Sequence, residues 1–125
     1  MDAEVERLLK EAVSDLVRLE VALFYHHNPA FVDSAEAISR RLYRDLPVVE
    51  QAVAGLVKSG LLDRFELGSG RYVLYSYTRN PQTRGSVAAL SAVYHENDQG
   101  RIEIIRFLMK SGLMGARAPA GGQVP

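Results

Sequence analysis

The chain lacks cysteine altogether, so disulfides, thiolate metal sites and thiol nucleophiles are excluded, and the absence fits a reducing compartment. It also lacks a surplus of charge of either sign, since fifteen Lys and Arg balance fifteen Asp and Glu. The excess positive charge by which many nucleic-acid binders hold DNA without sequence preference is therefore missing, and any DNA footprint must be local. No apolar run approaches the roughly 20 residues needed to cross a bilayer. The opening "MDAEVERLLKEAVSD" alternates acid, base and apolar groups, unlike a signal peptide. These absences predict a soluble cytoplasmic protein with no membrane partner.

What is present is ordinary globular material: 47% hydrophobic and 24% charged residues in a chain of 125, enough for one domain with one core. From Val5 the apolar positions Val5, Leu8, Leu9, Ala12, Val13, Leu16, Val17, Leu19, Leu23 and Phe24 fall at helical spacing in a broad band. The spacing predicts a first helix from Asp2 to His27, stopped near Asn28 by Pro29. At 1.5 Å per residue it would be about 39 Å long, more than a domain this small needs for its own core. Either a partner or the C-terminal helix of the same chain must cover the surplus.

After "NPAF", Asp33-Ser34-Ala35-Glu36 reads as a helix start, with Asp33 as cap and Glu36 completing a capping box. The second helix runs to about Leu42, burying Ala35, Ile38 and Leu42 and turning Arg40 and Arg41 away. Tyr43-Arg44 makes a turn, Asp45 caps the third helix and Pro47 sits in its first turn, where a missing N–H costs nothing. Val49, Ala52, Val53, Leu56 and Val57 give that helix its buried side as far as about Ser59, and Gly60 suits a left-handed C-cap. "LLDRFEL" and "RYVLYSYT", joined by Gly68-Ser69-Gly70, predict a hairpin with Val73, Tyr75 and Tyr77 on one face. Asn80-Pro81 breaks the strand, and Val87, Leu90, Tyr94, Ile102, Ile105, Leu108 and Met109 predict one long fourth helix, weakened around Asn97 to Gly100.

The pattern Ala35-x-x-Ile38-Ser39-x-x-Leu42, then Val49-x-x-x-Val53-x-x-Leu56, then Gly60-Leu61-Leu62 before a hairpin resembles the core of MarR-like and ArsR-like winged helix-turn-helix transcriptional regulators. The resemblance covers Asp33 to Thr78 closely and the flanking helices more loosely. It implies a mainly α fold with a small β-hairpin wing, flanked by long N- and C-terminal helices. The expected division is 1–28 for an N-terminal packing and dimerisation helix, 29–79 for the winged unit, 80–114 for a C-terminal dimerisation helix and 115–125 for a flexible tail.

The resemblance further implies a homodimeric, sequence-specific regulator of double-stranded DNA, with the third helix in the major groove and the wing on the backbone or minor groove. Groove candidates are Leu46, Pro47, Val48, Glu50, Gln51 and Ala54; Gln51 suits adenine, Glu50 the cytosine amino group and Val48 a thymine methyl. Phosphate contacts fall to Ser34, Arg40, Arg41, Tyr43, Arg44 and Lys58, with Arg71 and Tyr72 on the wing. Family members usually carry more positive charge on the groove helix, whereas "DLPVVEQAVAG" has Glu50 and no Lys or Arg. Between Asp33 and Arg79, seven basic residues (Arg40, Arg41, Arg44, Lys58, Arg64, Arg71, Arg79) meet six acidic ones (Asp33, Glu36, Asp45, Glu50, Asp63, Glu66), a net of +1. With so few cations a monomer should bind weakly, so dimerisation through the first and fourth helices is expected. A winged-helix module that contacts a protein instead of DNA is the alternative, since fold does not fix function.

No nucleophile motif and no phosphate-cradling loop is present, so neither enzymatic activity nor a required cofactor is expected. His26 and His27 are adjacent and point in different directions, and zinc-ligand spacing is absent, so the histidines are expected at a helix end where the dipole favours their charged form. Tyr75 and Tyr77 are expected in the core. The cleft between the long helices and the winged core leaves room for an effector ligand or partner protein that no set of polar residues identifies.

Overall fold

The computed structural model describes residues 1–96 and 98–116. Its first helix, α1 (Ala3–Glu11), begins where the Asp2 carboxylate accepts the Glu4 N–H at 2.8 Å. It ends at Ala12, whose φ of −130° leaves the helical region. A second helix, α2 (Leu16–His27), starts afresh, with the Asp15 carboxylate accepting the Arg18 N–H at 2.8 Å. The expected 39 Å helix is therefore two helices. Ser14 and Asp15 are the reason: their side chains favour a cap over a helix interior, while Ala12 and Val13 stay buried across the corner and keep the apolar period unbroken.

Next come β1 (Val32–Asp33), α3 (Ala35–Leu42), α4 (Leu46–Lys58), the hairpin strands β2 (Leu62–Leu67) and β3 (Tyr72–Tyr77), α5 (Pro81–Glu96) and α6 (Asp98–Ala116). The cap of α3 is Ser34, whose hydroxyl accepts the Ala37 N–H at 3.2 Å; Asp33 instead accepts the N–H of Ser34 at 2.7 Å, so the cap shifts by one residue and, with Ala37 at N3, the expected capping box does not form. Tyr43 closes α3 in the left-handed region at φ 55°. Gly60, at φ 85°, turns the chain out of α4 as anticipated. The hairpin turn has four residues, Gly68 to Arg71, one more than expected, because Leu67 pairs with Tyr72 and the Arg71 N–H donates to the Gly68 carbonyl at 3.2 Å. β1, a strand too short to give a period, adds antiparallel to β3, with Val32 opposite Ser76, giving the order β1-β3-β2.

The expected long fourth helix is also two. A Cβ on Gly100 would strike the carbonyl oxygen of Val93, seven residues earlier, which a straight helix would place about 10 Å away. The chain therefore turns back between α5 and α6, and Ile105, Leu108 and Met109 of α6 come to lie beside Ser14, Asp15 and Leu16 at the α1–α2 corner. Of the expected tail, Gly115 and Ala116 belong to α6, and 117–125 lie outside the described residues.

One core joins all the helices: Val5 and Leu9, Leu19 and Tyr25, Ile38, Val49, Val53 and Leu56, Leu61 and Leu62, Tyr77, Val87 and Leu90, Ile104 and Leu108. Much of the broad apolar band of the N-terminal helices is thus covered within the chain, by α4 and α5, with α6 reaching the α1–α2 corner. Tyr25 ties the layers together, donating its hydroxyl to the Tyr75 carbonyl at 2.9 Å. Burial first, then the nearby Asp33 and Tyr75, pushes that hydroxyl far above its ordinary pKa and keeps the donor intact.

Candidate nucleic-acid interface

The two sides of α4 differ by construction. Val49, Ala52, Val53 and Leu56 recur at three and four and are buried, which leaves Pro47, Val48, Glu50, Gln51, Ala54 and Lys58 exposed on the opposite side. Leu46, expected among the groove residues, is instead half-buried against the core. Asp45 takes the N-cap position of α4, but its side chain makes no capping hydrogen bond.

The hairpin stands beside α4. Between the hairpin and the start of α3, with Glu50 of α4 at its edge, lies an open cleft of about 710 Å³ lined by Asp33, Ser34, Ala35, Glu36, Glu50, Arg64, Arg71, Tyr72, Val73, Leu74 and Tyr75. Ser34, Glu50, Arg71 and Tyr72 of the expected set thus share one concavity. Arg40 follows Glu36 by one turn of α3 and carries on the same stripe. Val48 and Gln51 line a different depression, about 330 Å³, with Asp15, Leu16, Val17, Arg18 and Ala52.

Two of the expected phosphate ligands are engaged elsewhere. Arg44 grips Glu20 of α2 with both arms of its guanidinium, Nε to Oε1 at 2.8 Å and Nη2 to Oε2 at 2.7 Å, and these hydrogen bonds raise its pKa further. Arg41 lies over the rings of Phe24 and Phe31, 5.7 and 5.3 Å from their centroids, a cation–π seat on the far side of α3. Tyr43, 94% exposed, projects at the turn. Arg40, Lys58 and Arg71 are exposed and form no ion pair among the described residues.

Sequence reasoning passed over Arg64 and Arg18. Arg64 sits on β2 opposite Tyr75, faces the cleft and holds Glu66 at 2.6 Å. The strand alternation that places Tyr75 inward would have found it. Arg18 lays its guanidinium on Gly55 of α4, a contact between helices that no local pattern announces.

A trihelical unit of α2, α3 and α4 followed by a two-stranded wing and flanked by further helices is a winged helix-turn-helix fold, mainly α with a small antiparallel sheet. A crystal structure of a MepR-like protein complexed with pseudoligands is similar to this chain, with a TM-score of 0.52 and 12% sequence identity over 89% of this chain and 83% of that one. That likeness speaks for the fold. No protein-family model and no curated protein matches the chain.

Proposed function

We propose that the chain is a homodimeric, sequence-specific DNA-binding transcriptional regulator that lays α4 in the major groove and the wing on the neighbouring backbone or minor groove. The observation that carries this reading is the open outer side of α4: Pro47, Val48, Glu50, Gln51, Ala54 and Lys58 are exposed and flanked by an exposed wing. Gln51 and Val48 read base edges, while Arg40, Lys58 and Arg71 meet phosphates, joined by Ser34, Tyr43 and Tyr72. Arg44 joins them by exchanging Glu20 for a phosphate, and Arg41 contributes only by leaving its aromatic seat. Pairing of protomers supplies the second set of contacts. Leu16, Ile102 and Met109 are exposed apolar residues on α2 and α6, and Leu16 and Met109 border a pocket of about 270 Å³ that a partner copy can fill. A small effector lodged between the start of α2 and α4 would bear directly on Gln51.

The test is fluorescence anisotropy with duplexes at several salt concentrations. Gln51→Ala should relax preference at one base pair by about 1–3 kcal/mol without a uniform loss. A variant indistinguishable from the parent on every duplex would refute the groove assignment.

One observation favours a second reading, a protein-interaction module that does not bind DNA. Asp33, Glu36 and Glu50 bring three carboxylates into the cleft against Arg64 and Arg71, and the wing exposes Phe65, Leu67 and Tyr72. Phosphates are repelled by the former, and exposed apolar side chains suit a protein surface.

A further inference from the structure

Two histidines 68 positions apart meet at the ends of two helices. His27 closes α2, His95 stands one residue before the end of α5, and their Nε2 atoms are 3.2 Å apart. The ring centroids are 5.1 Å apart, and His26 places a third imidazole 5.2 Å from His27. Both His27 and His95 are exposed, so the approach is not forced by core packing. The adjacency of His26 and His27, which speaks against their sharing a ligand, does not bear on the pair formed across the fold.

We propose that His27 and His95 form a two-imidazole site for a borderline divalent transition-metal cation of the zinc, copper(II) or nickel kind, bridging α2 and α5. The separation fits such a site. Two metal–nitrogen bonds of about 2.0–2.1 Å hold their nitrogens about 3.3 Å apart at a tetrahedral cation and about 2.9 Å apart at a square-planar one, and the observed spacing falls between. The position adds a second reason. Both residues stand in the last turn of a helix, where the negative end of the helix dipole attracts a cation. Neutral imidazole on helices is a common transition-metal ligand.

Among the described residues, no group of three or more His, Cys, Asp and Glu is arranged to hold a metal, so water completes the coordination and the site binds less tightly than a closed four-ligand one. The competing geometry is a direct Nε2–H to Nε2 hydrogen bond, which requires opposite tautomers of the two rings. Because α2 belongs to the trihelical unit and α5 leads out of it, an occupied site ties the two together. Any effect of that tie on DNA binding rests on the proposed function, whereas the binding of the cation does not.

The experiment is calorimetric titration of the tag-free full chain with zinc, nickel and copper(II) chlorides, with thermal melts alongside. One cation per chain is expected, with a melting temperature that climbs with free cation. His27→Ala and His95→Ala should each weaken binding about tenfold or more, while His26→Ala stays within about threefold, given that loss of even an outer-shell partner costs at least the former. No binding by the parent chain at about 1 mM cation would overturn the proposal. So would binding that survives either His27→Ala or His95→Ala, or that is lost with His26→Ala.

Discussion

Arg44 and Glu20 set a small energetic question on which the DNA reading turns. Their pair is forked but open to solvent on one side, and ion pairs within reach of water contribute little, so a phosphate can displace the carboxylate at little cost. Two outcomes follow for anisotropy titrations. Arg44→Ala should weaken binding to all duplexes alike and flatten the salt slope by about 1 per protomer, whereas Glu20→Gln, by releasing the guanidinium, should tighten binding by up to about fivefold. No tightening by Glu20→Gln, together with unchanged binding by Arg44→Ala, would place Arg44 off the interface. His26 carries a pH effect. Burial first, then the neighbouring His27 and His95, lowers its pKa below the ordinary 6.5 despite its place at a helix end, so the unfolded chain takes up a proton that the folded chain refuses. Its contribution to stability is present above pH 6.5 and is lost as the pH falls through the depressed folded value. Melting temperatures recorded from pH 7.5 down to pH 5 should fall, and His26→Gln should make the fall shallower.

At the scale of elements, two helical corners decide the shape. Gly100 and Gly55 both have no room for a Cβ, yet their neighbours differ. At Gly100 the obstacle is the backbone carbonyl of Val93, which cannot step aside; Gly100→Ala should cost about 1–3 kcal/mol in urea melts. At Gly55 the obstacle is the end of the flexible Arg18 side chain, and alanine gains up to about 1 kcal/mol of helix propensity, so Gly55→Ala should be neutral or stabilising. Equal effects at the two positions would mean that α5 and α6 do not meet as described. The same corners mark how far the sequence could be read. Second and third helices, Gly60, the hairpin and inward Tyr77 were legible because period, caps and glycine chemistry are local. The break at Ala12–Asp15 was not, because buried residues on both arms of a corner keep helical spacing, and for the same reason the turn beyond Glu96 showed only as a weakening around Asn97 to Gly100. β1 was too short to show alternation. In the candidate site, exposure of Val48, Glu50 and Gln51 followed from the helical wheel, whereas the partners that engage Arg41 and Arg44 come from α2 and Phe31, far away in sequence.

For the whole molecule, zero net charge makes geometry and pairing carry what electrostatics cannot. On the proposed function dimerisation is therefore expected, and the exposed Leu16, Ile102 and Met109 are where it should be sensitive. Met109→Glu should convert a dimer to monomer in light-scattering chromatography with little loss of fold, since Met109 is 63% exposed in the monomer. A dimer that persists would move the interface elsewhere. On the proposed function, two copies present α4 to successive major grooves. Selection from a pool of randomised duplexes, followed by salt titration of the winner, tests it most directly. A two-fold symmetric site with half-sites about 10 base pairs apart is expected. Four cations per protomer, the unpaired Arg40, Lys58 and Arg71 together with Arg44, further imply a slope of log affinity against log salt of about −7. A pool that yields no enriched sequence, or binding that shows no dependence on salt, would contradict it.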